Sequence, residues 1–239
     1  MEYAPVCLVI PVYNEEANLP QLIDEIEQVM NQQPRSWQAL FVDDGSFDSS
    51  VSVLRQLASG KPWLHFLALA QNCGQSAAFT AGFLEAKADC FVTLDADLQN
   101  DPADIPAMLD LFDTGPDMVI GWRVTRKDSP VKRYASVIAN AIRNRLSHET
   151  VRDTGCSLKV LRADMAKKLP MFTGMHRFLP TLMKMQGAIV VECPVRHRPR
   201  LYGVSKYGIW DRAFSSLYDL LAVRWMQKRA FRYTIKEKG

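Results

Sequence analysis

The sequence predicts an α/β fold with a mostly parallel, doubly wound central sheet, and three observations support this prediction. Short apolar runs rich in β-branched and aromatic residues alternate four or five times with stretches of helical period, which is the pattern of βα repeats. Each run ends in polar residues, as a buried strand does where it leaves the sheet. The 239 residues, 48% of them apolar, suffice for one large domain with a substantial core.

The first βα unit begins near the N-terminus. The apolar run 6–12 predicts a strand that ends at Tyr13. Asn18 is expected to cap the following helix, because Asn is a preferred N-cap residue. The apolar positions of this helix recur with a 3.6-residue period at Leu19, Leu22, Ile23, Ile26, Val29 and Met30.

The same unit is repeated along the chain. Asp48 is placed to cap the second helix, and Asn72 and Gly74 open the third. Further strands are predicted at 39–42, 64–69, 90–94 and 118–120, with helices at about 49–57, 75–87 and 103–112. Beyond 122, helices are predicted at 130–146 and from 176. Strands are predicted within 153–160, after a polar lead-in, and at 188–191.

The segment 90–99 is an apolar run that ends in two carboxylates and an amide. Alternate side chains of an extended segment point the same way, so Asp95, Asp97 and Gln99 would present oxygen ligands on one face. Oxygen ligands suit Mg²⁺ or Mn²⁺. Because an Asp-x-Asp pair also occurs in solvated turns and at helix starts, the assignment depends on the surrounding motifs.

Carboxylates stand at the C-terminal ends of three predicted strands. They are Glu15, Asp43 with Asp44, and Asp95 with Asp97. Open α/β sheets bind ligands at this edge, so the three ends predict one site. The alternative, in which each carboxylate only caps the next helix, fits Asp48 better than the adjacent pair. No G-x-G-x-x-G follows the first strand and no G-x-x-x-x-G-K-[ST] occurs, which argues against a dehydrogenase or a P-loop NTPase.

The net charge of +3 conceals a strong polarity between the two halves of the chain. Residues 1–122 hold four Lys or Arg against eighteen Asp or Glu, whereas residues 123–239 hold twenty-five against eight. This predicts an acidic half that handles a metal and a basic half that meets phosphates or a membrane surface. The alternative is two differently charged solvated faces.

The five cysteines are scattered and form no C-x-x-C pair, which indicates reduced core residues of a cytosolic protein. The N-terminus leads directly into a strand pattern, so no secretory signal is expected. No apolar run reaches the ~18 residues that a transmembrane helix requires.

Four segments, in this order and spacing, resemble the motifs of family 2 glycosyltransferases with the GT-A fold. They are Val9-Ile10-Pro11-Val12-Tyr13-Asn14-Glu15, Val42-Asp43-Asp44-Gly45-Ser46, Asn72-Cys73-Gly74-Gln75 and Leu94-Asp95-Ala96-Asp97-Leu98-Gln99. The last resembles the polyprenyl-phosphate branch, typified by dolichyl-phosphate mannose synthase and bacterial undecaprenyl-phosphate sugar transferases. The resemblance covers roughly residues 5–212 and implies a Rossmann-like, mostly parallel sheet flanked by helices.

The resemblance also implies a nucleotide site and a metal site in the acidic half. The residues that should border the nucleoside of a UDP- or GDP-sugar are Pro11, Tyr13, Glu15, Asp43, Asp44 and Gly74. One of the two adjacent Asp residues should accept a hydrogen bond from the base. The residues that should hold Mg²⁺ or Mn²⁺ against the diphosphate are Asp95, Asp97 and Gln99, with Asp95 and Asp97 as catalytic candidates.

The basic half is expected to bind the acceptor phosphate. The residues that the resemblance and the charge pattern suggest for this role are Arg123, Lys132, Arg133, Arg200, Ser205 and Lys206, with Arg123, Arg200 and Lys206 as catalytic candidates. Two glycines in the segment 196–208 suit a mobile lid, although a solvated basic loop is the alternative. Asp153 is expected either to contact the sugar or to cap a turn.

The chain has no Asp or Glu between Asp164 and Glu192, where related enzymes that glycosylate a hydroxyl carry a general base. A hydroxyl acceptor must lose its proton in the transition state, whereas an ionised phosphate need not. We therefore expect an inverting transfer to a polyprenyl phosphate, undecaprenyl or dolichyl. A family 2 transferase acting on a saccharide or lipid hydroxyl is the alternative.

The C-terminal segment predicts an amphipathic helix with basic residues. Its apolar positions are Trp210, Ala213, Phe214, Leu217, Leu220 and Leu221, followed by Trp225 and Met226 among Arg224, Lys228, Arg229 and Arg232. Aromatic and basic residues are typical of interfacial helices, so we expect a peripheral protein on the inner, cytoplasmic face of the membrane. A helix docked on the sheet or in a dimer interface is the alternative.

The predicted organisation is a catalytic domain at 1–207, with a nucleotide- and metal-binding half at 1–122 and an acceptor-binding half at 123–207, followed by the helix and tail at 208–239. The expected partners are a nucleotide-sugar donor, a polyprenyl phosphate and the membrane surface, with a membrane subunit or a second copy left open and no nucleic acid. A sugar nucleotidyltransferase would need a glycine-rich basic loop after the first strand, which is absent. A silent binding subunit is disfavoured because all the metal-site residues are present.

Overall fold

The computed structural model describes residues 1–124, 150–199, 209–231 and 236–237, with the backbone alone at 209–217. Several predicted features therefore lie outside the described residues. They are the helix at 130–146 and the candidate side chains Lys132, Arg133, Arg200, Ser205 and Lys206.

The described residues form one seven-stranded sheet in the order β3-β2-β1-β4-β6-β5-β7. Strand β6 is antiparallel to both of its neighbours, and all the other neighbouring pairs are parallel. The prediction of a mostly parallel sheet is confirmed. The strands are β1 (Val6–Val12), β2 (Trp37–Asp43), β3 (Leu64–Ala68), β4 (Cys90–Thr93), β5 (Met118–Arg123), β6 (Lys159–Arg162) and β7 (Val190–Val195).

Helices cover both faces of the sheet. The helices are α1 (Leu19–Met30), α2 (Ser50–Ala58), α3 (Gln75–Glu85), α4 (Ile105–Asp113), α5 (Ala163–Ala166), α6 (Leu179–Met185) and α7 (Ile209–Arg229). Short 3₁₀ turns precede α4 at Pro102–Asp104 and α6 at Met175–Arg177. The helix predicted from 176 thus begins as a 3₁₀ turn.

The alternation of side chains in the strands divides the core into two layers. In β1, Leu8 and Ile10 pack with α1, α2 and α4, whereas Cys7 and Val9 pack with α3 and α6. Burial on both faces explains why the central strands are continuous apolar runs in the sequence.

The two halves of the predicted catalytic domain share this sheet. Strand β5 crosses the boundary at 122, and β6 lies between β4 and β5. Residues of both halves therefore meet at the C-terminal edge of the parallel strands.

The predicted start of α1 is confirmed, but Asn18 does not cap it through its side chain. An N-cap side chain accepts from the N–H groups of the second or third helical residue, and the second is Pro20, which has none. Asn18 donates instead to Glu15 Oε2 at 2.5 Å. Asp48 does serve the start of α2, because its Oδ1 accepts from the Ser50 N–H at 2.9 Å.

The predicted C-terminal helix is present as α7. Leu220 and Val223 are buried in the core layer that also contains α3 and α6, so one face of α7 docks on the protein. Within the described residues, no helix is long and apolar enough to cross a membrane.

Candidate functional site

The loops after β1 and β2 are held together by hydrogen bonds. The Asn14 N–H donates to Ser46 Oγ at 2.8 Å, and Asn14 Oδ1 accepts from the Phe47 N–H at 3.0 Å. The Glu15 N–H donates to Ser50 Oγ at 2.9 Å. Asn14 adopts a left-handed φ of 53°, a conformation that Asn tolerates better than most residues. The two loops therefore form one rigid frame at the edge where ligands are expected.

Asp44 fixes the turn that precedes α3. Its Oδ1 accepts from the Cys73 N–H at 2.7 Å, and its Oδ2 accepts from the Gly74 N–H at 2.8 Å and from Asn72 Nδ2 at 3.0 Å. Burial raises the pKa of this carboxyl group, and the two backbone hydrogen bonds oppose the shift. Both carboxylate oxygens of Asp44 are thus engaged by the protein itself.

Asp43 is the member of the adjacent pair whose carboxylate the described residues satisfy only in part. Its Oδ2 accepts from the Ser46 N–H at 3.0 Å, whereas its buried Oδ1 has no hydrogen-bond partner among the described residues. A buried unsatisfied oxygen is rare in proteins and requires an explanation. A base N–H supplied by a nucleotide would satisfy this oxygen.

An aromatic pair lies on the same frame. The rings of Tyr13 and Phe47 meet edge to face with centroids 6.1 Å apart. Tyr13 was predicted from the sequence, but Phe47 was missed, although it directly follows the Asp43-Asp44-Gly45-Ser46 motif and is 84% exposed. Pro11 is half-buried at the end of β1, and the pair offers an apolar surface to a planar base.

Asp95 and Asp97 follow β4, as predicted, but the segment is not extended. Residues 96–98 form a bend, and the buried Leu98 has a left-handed φ of 61°. The shared face of Asp95, Asp97 and Gln99 therefore cannot be derived from strand alternation. Strained backbone of this kind is common at functional sites.

The two carboxylates are nevertheless close enough to interact. Burial raises the pKa of Asp95 to about 6, and repulsion by Asp97 adds to the shift, whereas Ser157, Lys159 and Gln75 oppose it. Gln75 Nε2 donates to Asp95 Oδ1 at 2.7 Å, and Asp97 Oδ1 accepts from the Gln99 N–H at 3.1 Å. A cation would relieve the repulsion of the two carboxylates.

The described residues contain no group of three or more His, Cys, Asp or Glu side chains that could hold a metal ion by itself. Two carboxylates with open positions suit Mg²⁺ or Mn²⁺, because these ions commonly take one or two protein carboxylates and complete their shell with substrate phosphates. Asp95 and Asp97 therefore fit an ion that is shared with a diphosphate.

Lys159 is a buried cation that sequence reasoning missed. It lies on β6 opposite Thr93 of β4, is 3% exposed, and donates to the Cys156 carbonyl oxygen. Burial lowers its pKa, while Cys156, Asp95 and Asp153 oppose the shift. The available signal was a charged residue within the apolar run 158–161, a position where an unpaired Lys is rare.

Arg123 is held by Asp153. Its Nε and Nη2 donate to the two carboxylate oxygens at 2.7 and 2.9 Å, and its backbone N–H adds a third hydrogen bond at 3.3 Å. Asp153 thus forms a bidentate ion pair instead of only capping a turn. The predicted contact of Arg123 with an acceptor phosphate stays a prediction.

The start of the basic segment is anchored beside the carboxylates. The Arg198 N–H donates to the Gln99 carbonyl oxygen at 2.9 Å. The Arg198 guanidinium pairs with Glu25 at 2.6 Å and with Asp101 at 2.7 Å, and Arg196 pairs with Asp104 at 3.0 Å. The chain that leads to Arg200 therefore departs from the segment containing Asp97 and Gln99.

His176 connects the turn before α6 to the start of α3. Its Nδ1 lies 2.8 Å from Ser76 Oγ, which also accepts from the Gly174 N–H at 3.0 Å. Ser76 is adjacent to Gln75, the residue that binds Asp95. His176 lies in the segment 165–191, which contains no Asp or Glu that could act as a general base. No spacing in the sequence indicated the contact between His176 and Ser76.

Comparison with known proteins agrees with this geometry. Residues 7–169 match the model of the family described as Glycosyl transferase family 2. The chain is 36% identical over 226 residues to a dodecaprenyl-phosphate galacturonate synthase of Rhizobium johnstonii, covering 92% of this chain and 67% of the relative. It is 36% identical over 218 residues to an undecaprenyl-phosphate 4-deoxy-4-formamido-L-arabinose transferase of Edwardsiella ictaluri, covering 90% and 66%. The chain thus spans about two thirds of the length of these relatives.

Solved structures are similar in fold. Glucosyl-3-phosphoglycerate synthase from Mycobacterium tuberculosis, in complex with Mg²⁺ and UDP, superposes with a TM-score of 0.70 at 16% identity, over 96% of this chain and 81% of that one. Its complex with Mn²⁺, UDP-glucose and phosphoglyceric acid gives 0.69 at 16% identity, over the same shares. At 16% sequence identity, the structural similarity shows that the two proteins share a fold.

Proposed function

The chain belongs to glycosyl transferase family 2, and we propose that it transfers a sugar from a UDP- or GDP-sugar to a polyprenyl phosphate. Two relatives at 36% identity are named for transfer to dodecaprenyl and undecaprenyl phosphate. The observation in this chain that carries the proposal is the backbone hydrogen bond from Arg198 to Gln99, because it sets the start of the basic segment, residues 196–199, beside the carboxylate pair.

The frame formed by the loops after β1 and β2 would bind the nucleoside. Asp43 Oδ1 would accept from the base, and Tyr13, with Pro11 beside it, would contact the ring. Asp44 would act indirectly, by holding Cys73 and Gly74 in place. Uracil N3–H and guanine N1–H are both suitable donors, so the choice between UDP and GDP depends on contacts beyond this oxygen.

Asp95 and Asp97, with Gln99, would hold the ion that accompanies the diphosphate. When bound, Mg²⁺ or Mn²⁺ would act as a Lewis acid that neutralises charge on the departing nucleoside diphosphate. Gln75 would keep Asp95 in position, since its Nε2 donates to Asp95 Oδ1 at 2.7 Å. This contact holds the Asp95 carboxylate in place before the donor arrives.

The acceptor would react through a phosphate oxygen. That oxygen forms a bond to the anomeric carbon while the bond from this carbon to the donor diphosphate breaks, which inverts the configuration. No proton has to be removed from an ionised phosphate, in agreement with the lack of Asp and Glu from 165 to 191. Two unit charges ~5 Å apart repel by roughly 3 kcal/mol at an effective dielectric of 20, so cations must offset the approach.

The anchored segment would supply those cations. Arg200 follows Arg198 by two residues in the sequence. Arg200, Ser205 and Lys206 would then bind the acceptor phosphate, together with Lys132 and Arg133. Arg123, already paired with Asp153, would contribute through its charge or by exchanging partners.

The test is to detect the product by mass spectrometry after incubating the purified chain with a short polyprenyl phosphate, Mg²⁺ or Mn²⁺, and a panel of UDP- and GDP-sugars. A saccharide acceptor is included in parallel. A lipid-phosphate sugar formed with one donor supports the proposal and identifies the nucleotide. Transfer to the saccharide alone, or nucleotide binding without any lipid product, would contradict the proposed acceptor.

Replacing Arg198 by Ala should reduce kcat for the lipid acceptor by about tenfold, with little change in donor affinity. The reason is that the variant loses two charge-assisted hydrogen bonds that fix the basic segment beside the carboxylates. Steady-state kinetics with each substrate varied in turn measures both quantities. The control is Arg35→Ala, which removes a similar pair with Asp113 at 2.7 Å, before β2 and away from the site. Equal kinetics for the two variants would refute the anchoring role.

We further propose that α7 rests on the cytoplasmic face of the membrane. Its outer face exposes Tyr218, Leu221 and Trp225, the last 63% exposed, and Lys228 and Arg229 follow in the last turn. Aromatic and basic side chains favour the interface of an anionic bilayer. This arrangement would bring the site to a lipid acceptor while the inner face of α7 remains packed on the core.

Flotation with liposomes that contain anionic lipid should recover the protein at low salt, and Trp225→Ala should reduce the recovered fraction several-fold, because Trp supplies apolar contact at the interface. The control is Ile189→Ala, which removes an apolar side chain that is exposed to a similar degree, before β7. Absence of flotation at low salt, or equal losses in both variants, would contradict the placement of α7.

A further inference from the structure

We propose that Lys159 keeps the carboxylate pair from binding a divalent cation tightly on its own, so that the metal enters and leaves together with the nucleoside diphosphate. This inference rests on the metal site of the proposed function. It assigns Lys159 a role as a positioning residue that acts through charge and does not touch the substrate.

Lys159 lies on the strand next to β4, the strand that the two carboxylates follow. Its strand β6 is inserted between β4 and β5, and Lys159 pairs with Thr93, two residues before Asp95. Phe91 of β4 belongs to the core layer of α3 and α6. By strand alternation, Thr93 and its partner Lys159 lie on that same face, which is also the side of Gln75 at the start of α3.

Among the charged groups near Lys159, Asp95 is the carboxylate that its ammonium group compensates. Lys159 interacts electrostatically with Cys156, Asp95, Asp153 and Arg123. Burial raises the pKa of the Cys156 thiol, which is therefore uncharged at neutral pH. Asp153, however, is already paired with Arg123 through two hydrogen bonds of 2.7 and 2.9 Å. A positive charge on Lys159 therefore offsets chiefly the charge of Asp95, which in turn interacts with Asp97.

This balance has a consequence for a metal ion. A divalent cation approaching the pair is repelled by Lys159, and the described residues supply no third acidic, His or Cys ligand. A nucleoside diphosphate adds negative charge and oxygen ligands. Binding of the ion is therefore favourable only while the nucleotide is present. Departure of the diphosphate would then release the ion as well.

A purely structural role for Lys159 predicts the opposite result. If the ammonium group only holds the Cys156 carbonyl oxygen and keeps Asp95 in place, then its loss disorders the ligands and weakens metal binding. The direction of the change in metal affinity thus distinguishes the two roles, and it can be measured without any sugar or lipid.

The experiment titrates Mn²⁺ into the purified chain and follows the electron paramagnetic resonance signal of free Mn²⁺, without nucleotide and with UDP or GDP. Lys159→Met and Lys159→Gln should bind Mn²⁺ about tenfold or more tightly without nucleotide. The ratio of the Mn²⁺ affinity with nucleotide to the affinity without it should be smaller in these two variants than in the parent chain. Gln retains a donor for Cys156 and serves if the Met variant does not fold. Lys159→Arg, which keeps the charge, should bind Mn²⁺ as the parent chain does.

The matched control is Lys167→Met. Lys167 also donates to a backbone carbonyl, that of Ala86, at 2.7 Å, but it lies past β6, away from the carboxylates, so Mn²⁺ affinity should not change. Unchanged or weaker Mn²⁺ binding in both uncharged Lys159 variants overturns the inference and leaves the proposed function intact. No Mn²⁺ binding by the parent chain with either nucleotide contradicts the metal site of the proposed function itself.

Discussion

Asp97→Asn is expected to reduce kcat for sugar transfer by about a thousandfold without destabilising the protein. An amide is a poor ligand for Mg²⁺ or Mn²⁺, so charge on the departing diphosphate would be poorly compensated. The fold should tolerate the change, because the amide oxygen of the new side chain can still accept from the Gln99 N–H and the repulsion between Asp95 and Asp97 disappears. Turnover at saturating donor and the melting temperature measure the two effects.

The control for this variant is Asp110→Asn. Asp110 lies on α4 with its side chain 73% exposed, 3.6 Å from Arg35, and an exposed pair of this kind contributes little to stability. Its kcat should equal that of the parent chain. A value for Asp97→Asn within about tenfold of the parent, in a folded protein, would exclude Asp97 from the metal site.

Gly45→Ala is the second change with a large expected effect. Gly45 has a φ of 70°, and a Cβ there would lie 2.4 Å from the Gln71 carbonyl carbon and 2.5 Å from the Asn72 nitrogen. Backbone atoms cannot rotate away, so the turn after β3 must shift and its hydrogen bonds to Asp44 must weaken. The free energy of unfolding should fall by about 3 kcal/mol, from strain and overpacking together.

The same shift should weaken binding of the donor by about tenfold or more, because Gly74 and Cys73 move away from the frame that we propose holds the nucleoside. Chemical denaturation and calorimetric titration with UDP or GDP measure the two effects. Gly115→Ala is the control, since its φ of 113° carries a similar conformational cost and no atom lies within 4 Å of a Cβ there. The Gly115→Ala variant should have a lower free energy of unfolding and an unchanged affinity for the donor. Parent-like donor affinity in Gly45→Ala would refute the role of this close approach.

Several elements could be predicted because their signals are local. Strands β1, β2 and β4 are buried on both faces and therefore appear as continuous apolar runs, while the spacing of Leu22, Ile23 and Ile26 indicated α1. The carboxylates at three strand ends were expected to meet, because parallel strands present their C-terminal ends at one edge of a sheet.

Other features depend on segments that are distant in the chain. The insertion of β6 between β4 and β5 brings Lys159 opposite Thr93, and no local pattern specifies that register. The pair of Arg123 with Asp153 spans 30 residues, and the contact of Ser76 with His176 spans 100. The predicted capping role of Asn18 was wrong for a local reason, because the second residue of α1 is Pro20, which has no N–H to donate.

The sequence by itself determined the α/β class, the order of the elements and the types of ligand at the strand ends. These follow from side-chain period and from short motifs, which act between neighbours in the chain. Only the tertiary structure decided that Asp44 serves the turn at 72–74 while Asp43 Oδ1 has no hydrogen-bond partner among the described residues, and that Lys159 interacts with Asp95. Burial and the choice of hydrogen-bond partner decide these roles, and both arise only when distant segments pack together.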